Sequence, residues 1–208
     1  MKAKAPPATT GAHRSGRRLV ARSVTGGPEI RRQLRPGDVG AIAEQHGCLY
    51  GPEFGLDVTF EAELARSLYA AAARGWPNER EGIWVVERAG AHLGSLALTD
   101  EGGGEGRVRA FLLDPSLRGQ GLGRRLLEEL LERASEAGYA LLSLYTFSEL
   151  RAAAHLYGEH GFVVVAEETG PRWGMARMTY QRYELQRLAQ ERSSRSAGAS
   201  AAPFSVSA

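Results

Sequence analysis

Between a β-rich run and a strongly periodic helix, this chain carries Arg118-Gly119-Gln120-Gly121-Leu122-Gly123. No other segment restricts its fold so tightly. Closely spaced glycines let backbone N–H groups approach a ligand, and a helix starting here adds unpaired N–H groups and the positive end of its dipole. The segment reads as a phosphate or pyrophosphate cradle. Two rival motifs fail on spacing. A dinucleotide fingerprint needs glycine at the sixth place from Gly119, where Arg124 stands, and no Gly-Lys-Ser/Thr follows to make a P-loop.

The helix after the turn is the clearest in the chain. Leu122, Leu126, Leu127, Leu130, Leu131 and Ala134 recur at the spacing of one buried helical face, which predicts a helix over 120–137 closed by Gly138. Before the turn, 29–34 begins like a short strand, and Arg35-Pro36-Gly37-Asp38 is a turn leading into a helix with Asp38 as N-cap. Helices over 38–50 and 58–75 follow. Residues 82–88 and 92–99 are β-rich runs joined by Ala89-Gly90-Ala91, a hairpin. A flexible loop over 101–106 leads to a strand over 107–114, closed by Pro115. Past the periodic helix come a strand over 139–147, a helix over 149–160, and strands over 162–167 and 177–185. Hairpins first and βαβ units second imply a mixed sheet with helices on its faces.

Charge and composition exclude several classes. Residues 1–27 hold six Lys or Arg and no acid, whereas 28–190 hold 18 basic against 23 acidic residues. The net charge of +2 therefore belongs to a tail, and no nucleic-acid partner is expected. No run of about 18 apolar residues occurs to cross a membrane. A lone cysteine, Cys48, has neither a disulfide partner nor zinc-ligand neighbours. A reducing, cytoplasmic setting without a bound metal is expected, with Cys48 as buried packing. The organisation expected is a disordered basic tail (1–27), one domain (28–190) and a disordered Ser/Ala-rich tail (191–208).

The strand RVRAFLLD, Pro115, the RGQGLG turn, the amphipathic helix, a strand and Ala154-His155-Leu156-Tyr157-Gly158-Glu159-His160-Gly161-Phe162 together resemble GNAT N-acetyltransferases. The resemblance spans about 29–185. More narrowly, Arg35-Pro36-Gly37-Asp38, His46-Gly47, Leu49-Tyr50, Phe54-Gly55 and Phe60-Glu61 are similar to the acetyltransferase half of MarR-type regulator fusions. The resemblance implies an α/β (mixed α+β) fold with a mostly antiparallel central sheet of about seven strands and helices on both faces. It implies acetyl-CoA as cosubstrate and an amine, on a small molecule or a protein, as acceptor. Homodimerisation is left open. The alternative is an acyl-CoA sensing module that retains the fold and has lost transfer.

Residue by residue, the resemblance places the acetyl-CoA pyrophosphate at Arg118, Gly119, Gln120, Gly121, Leu122, Gly123 and Arg124. It gives the thioester carbonyl to a backbone N–H of Leu112 or Leu113, and makes Tyr157 the general acid for the CoA thiolate. Many family members carry Asn seven residues before that tyrosine, where this chain has Leu150. The base is less specified: His46, Tyr50, Glu53 and Glu87 are candidates, because an amine of pKa about 10.4 must lose a proton before attack. Tyr50, Phe54 and Trp173 are expected to line the acceptor side.

Overall fold

The computed structural model describes residues 26–186. Nearly all of both expected tails lies outside the described residues. The elements are β1 (Glu29–Arg31), α1 (Asp38–Phe54), α2 (Val58–Ala73), β2 (Gly82–Arg88), β3 (Ala91–Gly102), β4 (Glu105–Leu113), α3 (Leu122–Glu136), β5 (Leu141–Phe147), α4 (Arg151–Glu159), β6 (Val163–Arg172) and β7 (Met175–Leu185). A single 3-10 turn, Pro115–Leu117, follows β4. The seven strands form one sheet in the order β1-β2-β3-β4-β5-β7-β6. Every pairing is antiparallel except β4 with β5. The mixed fold with helices on both faces is thus as expected.

Each face of the sheet has its own core. Leu126, Leu127, Leu130 and Ala134 of α3 pack with Tyr157 of α4 onto Leu96, Leu98, Leu142 and Leu144. On the other face, Ile42 of α1 and Leu68 and Ala71 of α2 cover Ile83, Val85 and Ala97. A third cluster at the α1–α2 end holds Tyr50, Phe60, Leu112, Phe147 and Trp173. Each fully buried leucine contributes roughly 1.5–3 kcal/mol relative to exposure, so α3 is the principal clamp on its face.

Several boundaries differ from the sequence expectation for identifiable reasons. Gly37, at φ 97, is the N-cap of α1 rather than Asp38. Asp38 enters the first turn, where its carboxylate accepts from Arg35 N at 2.5 Å and pairs with Arg31 at 2.7 Å. The glycine-rich stretch 101–106 is not a loose loop. Gly103 and Gly104, at φ 61 and 84, form a two-residue turn with β3 and β4 paired up to its edge. Residues 89–90 make the same kind of turn, with φ 50 and 80. Strands β6 and β7 run further than expected because Gly170 and Pro171, which break most strands, stand on a sheet edge where proline is tolerated. Cys48 is exposed on α1, not buried.

One irregularity positions the site. Ser95 pairs with Leu112 and Ala97 with Arg109, so two steps along β3 oppose three along β4. The extra residue makes a bulge in which Ala110 takes φ 49. Side chains alternate faces along a strand, and a bulge resets that alternation. Val108 accordingly packs in the α3 core, whereas Ala110 and Leu112 pack on the α1–α2 side. At the same place β4 leaves β5. Their ladder covers only Glu105–Val108 against Leu141–Leu144, and β5 continues alone along β7 to Phe147↔Tyr180.

Ser95, fully buried, donates its hydroxyl to the Ala110 carbonyl at 2.7 Å and holds the bulge. Ser95→Ala removes that donor, and a buried acceptor left unpaired costs about 1–3 kcal/mol. Urea unfolding of the two proteins is expected to differ by that amount.

Candidate active site

Where β4 and β5 diverge, a cavity of about 170 Å3 opens through the sheet. Its walls come from both strands (Arg107 to Phe111 and Leu144 to Phe147), from α1 and α2 (His46, Tyr50, Phe60, Glu63), from α4 and its N-cap (Ala153, Tyr157 and Leu150), and from Trp173 and Tyr180. The structure therefore brings four of the residues singled out from sequence, His46, Tyr50, Tyr157 and Trp173, into one cavity. Phe54 stands just behind them, its ring 5.4 Å from that of Tyr50 and 5.2 Å from that of Phe147. Leu150 is a cavity wall.

Two proposed bases lie elsewhere. Glu53 is at the surface, paired with Arg118 at 3.4 Å, and is not part of the cavity wall. That pair ties the last turn of α1 to the glycine turn, and Arg118 Nε also donates to the Leu113 carbonyl at 3.1 Å. Glu87 is at the β1 end of the sheet, beside Arg31 and Arg35.

Beyond the open seam lies the glycine turn. Gly119 and Gly121 have φ 72 and 76, with Gly121 at the N-cap of α3. A Cβ at either position would meet no atom within 4 Å, so backbone conformation selects glycine here, and the space above stays open. Among the described residues, no backbone N–H of 119–124 reaches an acceptor. The first bond of α3 runs from Arg125 N to the Gly121 carbonyl at 3.1 Å. Six consecutive unpaired donors at the positive end of a helix suit a phosphate or pyrophosphate. Arg124 lies alongside, paired with Glu159 at 2.7 Å.

The open edge of β4 supplies further donors. Asp114 N donates to the Leu93 carbonyl at 2.8 Å. Antiparallel alternation then turns the N–H groups of Leu113 and Phe111 away from β3, toward the side β5 has left. Of Leu112 and Leu113, the alternation places Leu113 on the open side, and it adds Phe111.

The titratable groups in the cavity are all shaped by burial. Desolvation lowers the His46 pKa to about 4, and its Nδ1–H donates to the Ile42 carbonyl at 2.8 Å. The neutral ring thus presents Nε2 as its free lone pair. Burial raises both Tyr50 and Tyr157 well above the usual phenol range. The Tyr157 hydroxyl has no hydrogen-bond partner among the described residues, and its ring packs against Phe111, Phe162 and Tyr183.

The sequence reading missed Glu63 and Arg172. Glu63 on α2 accepts from Trp173 Nε1 at 2.9 Å and from Arg172 at 2.8 Å. Trp173 and Gly174 form the β6–β7 turn at φ 50 and 82. A non-glycine residue in that region costs about 1–3 kcal/mol, offset here by the Glu63 bond and by packing on Phe60 at 5.0 Å and Tyr180 at 5.4 Å. A tryptophan before Gly174 was the available signal, since asparagine or glycine is usual at that place.

Comparison with known proteins agrees with this geometry. Residues 49–162 match the model of the Acetyltransferase (GNAT) family. The L-amino acid N-acyltransferase MnaT of Escherichia coli (strain K12) is 29% identical over 152 residues, covering 69% of this chain and 86% of that protein. An uncharacterized N-acetyltransferase of Schizosaccharomyces pombe is 34% identical over 119 residues, 54% of this chain and 69% of its own. Among solved structures, an N-acetyltransferase from Staphylococcus aureus Mu50 superposes with a TM-score of 0.60 at 20% identity, covering 77% of this chain and 99% of that one. A putative acetyltransferase from Salmonella typhimurium, solved with its cofactor acetyl-CoA, gives 0.55 at 22% identity, with 77% and 94% covered.

The buried imidazole makes stability depend on pH in a defined direction. The folded-state pKa of His46 lies below the ordinary 6.5, so its contribution is complete above pH 6.5 and is lost as pH falls toward 4. The loss amounts to roughly 3 kcal/mol. Urea midpoints measured between pH 7.5 and 4 should fall more steeply for the wild type than for His46→Gln, which keeps a donor for the Ile42 carbonyl. His92, also lowered by burial, titrates in both proteins, and the difference between them includes its repulsion of a protonated His46.

Proposed function

Because the chain belongs to the GNAT family of acetyltransferases, acetyl-CoA-dependent acyltransferases, we propose that it transfers the acetyl group of acetyl-CoA to a primary amine by direct attack, both substrates being held together in one ternary complex. Residues 28–190 form the catalytic domain in this reading. The observation that carries it is the opened β4–β5 seam, with six unpaired N–H groups at one end and a cavity containing a buried tyrosine at the other.

Acetyl-CoA supplies an activated thioester. The chain's task is to hold it, to polarise its carbonyl and to manage two protons. The N–H groups of 119–124 hold the pyrophosphate, with Arg118 and Arg124 as flanking cations. The N–H groups on the open edge of β4, at Phe111 and Leu113, are the donors for the thioester carbonyl and the arm that carries it. Donors fixed in a backbone need no reorganisation as charge develops on the oxygen.

Tyr157 donates a hydrogen bond to the departing sulfur. Burial keeps the phenol protonated at neutral pH, so the donor is always present. The same burial makes it a weak acid, which favours partial over complete proton transfer. On the acceptor side, His46 presents a neutral Nε2, but a pKa near 4 is far too low to deprotonate a lysine-like ammonium, whose pKa is about 10.4. The acceptor therefore enters as the free amine, its ammonium proton left in bulk water. His46 Nε2 accepts a hydrogen bond from it, takes the proton that the nitrogen sheds as the N–C bond forms and the C–S bond breaks, and returns that proton to solvent. Tyr50, Phe60, Phe147 and Trp173 supply the apolar walls that keep water from the thioester.

Tyr157→Phe preserves ring packing and removes one hydroxyl. Folding and acetyl-CoA affinity should be retained, while turnover falls by roughly 10²-fold, the lower end of general-acid effects. The assay follows free CoA thiol in the presence of an amine panel. Unchanged turnover in the variant would take Tyr157 out of the mechanism. Absence of thiol release from the wild type with every amine would favour the acyl-CoA sensing alternative.

A further inference from the structure

Glu63 and Trp173 are the two residues shared by the reaction cavity and a second, outer groove formed with Thr59, Ala62, Arg66 and Arg172. The partition between the two spaces is therefore the indole of Trp173 and whatever holds it. Glu63 holds it directly, through the 2.9 Å bond from Nε1. The second Glu63 oxygen accepts from Arg172, whose guanidinium carbon lies 4.5 Å from the Trp173 ring centroid and 4.1 Å from that of Tyr180. The backbone is anchored as well, since the Trp173 carbonyl accepts from Asp57 N at 2.9 Å, at the N-cap of α2. One carboxylate on α2 thus fixes a tryptophan and an arginine across the end of the cavity.

The space is small. About 170 Å3 is below the roughly 300–1,000 Å3 of sites for drug-sized ligands. Half-exposed wall residues lie on the strands, at Arg107, Arg109 and Tyr145, and on α2, at Glu63, Leu64 and Ser67, so the Glu63–Trp173 partition stands at the rim of the cavity, where its loss widens the opening toward the groove.

We infer that Glu63 is a positioning residue that sets the size of the acceptor: by pinning Trp173 it closes the cavity against the outer groove, so the acceptor is a compact small-molecule amine and not the amine of a polypeptide whose body would lie in that groove. The inference rests on the N-acetyl transfer reading above. Glu63 acts through Trp173 and not on the reacting atoms. Release of the indole joins the cavity to the groove and admits amines with longer bodies, in the way that a pocket wall discriminates by what it excludes.

The test compares compact amines, namely the free L-amino acids and short alkyl and arylalkyl amines, with tripeptides that begin with the same amino acids. The wild type should favour the compact acceptors by about tenfold or more in kcat/KM, within the range a shaped pocket supplies. Glu63→Ala should reduce that preference by about tenfold, mainly through the acceptor KM, with the KM for acetyl-CoA within about twofold of wild type. Glu63→Gln, which can still accept from the indole N–H, should lie between the two. Trp173→Ala should reproduce the loss of preference, and Glu63→Ala added to it should change little further, since the two act as one unit.

If Glu63→Ala does not fold, as judged by circular dichroism, Glu63→Gln and Trp173→Ala carry the comparison. Equal use of compact and extended amines by the wild type overturns the inference, as does an equal fall for both classes in the Glu63 variants. Thiol release with an unaltered preference leaves acetyl transfer standing and removes the role of Glu63. No release with any amine removes both.

Discussion

Everything functional in this fold follows from β4 and β5 separating where they could have continued to pair. Two parallel strands that pair along their length leave no groups free. Here the ladder stops at Val108 and Leu144, and the bulge at Ala110 turns the remaining residues of β4 out of register. The separation exposes a row of backbone donors and opens a passage between the two faces of the sheet. The α3 face supplies Tyr157 and the unpaired N–H groups of the glycine turn. The α1–α2 face supplies His46, Glu63 and the aromatic walls. Residues more than a hundred positions apart meet only because the seam is open.

The cost of that opening is met by local devices. Ser95 satisfies the carbonyl of the bulged residue. The leucine face of α3 secures one side of the sheet, so that its first turn is held rigidly at the end of the seam. The Arg118–Glu53 pair ties the glycine turn to α1, and the Glu63–Trp173–Arg172 cluster ties α2 to the β6–β7 turn. Loss of either tie would loosen the geometry of the site, whereas loss of the leucine face would remove enough buried surface to unfold the domain.

The local chemistry of the site was readable in the sequence, and its long-range assembly was not. Period 3.6 in leucines marked α3, and the glycine spacing marked the turn at its start. Tyr157 was found through a resemblance in its surrounding residues, not through periodicity. Glu53 looked as suitable a base as any acid near His46, and seven positions on it shares the same helical face, but it lies about two turns further along the axis, at the end of α1, where Arg118 captures it at the surface. Glu63 had no distinguishing local signal, because its partners lie 109 and 110 residues away. The extent of β6 was hidden by Gly170 and Pro171, whose meaning depends on the strand being at an edge. The tight Gly103-Gly104 turn was hidden in a run of glycines that also permits a loose loop.

The central claim is that the unpaired N–H groups at 119–124, together with those on the open edge of β4, are the acetyl-CoA site. Backbone amide resonances followed by NMR during titration with acetyl-CoA test it most directly. The account predicts saturable shifts concentrated in 119–124 and at Phe111 and Leu113, with slowed solvent exchange of the same amides. Saturable binding that leaves these amides unchanged while shifting others would contradict it.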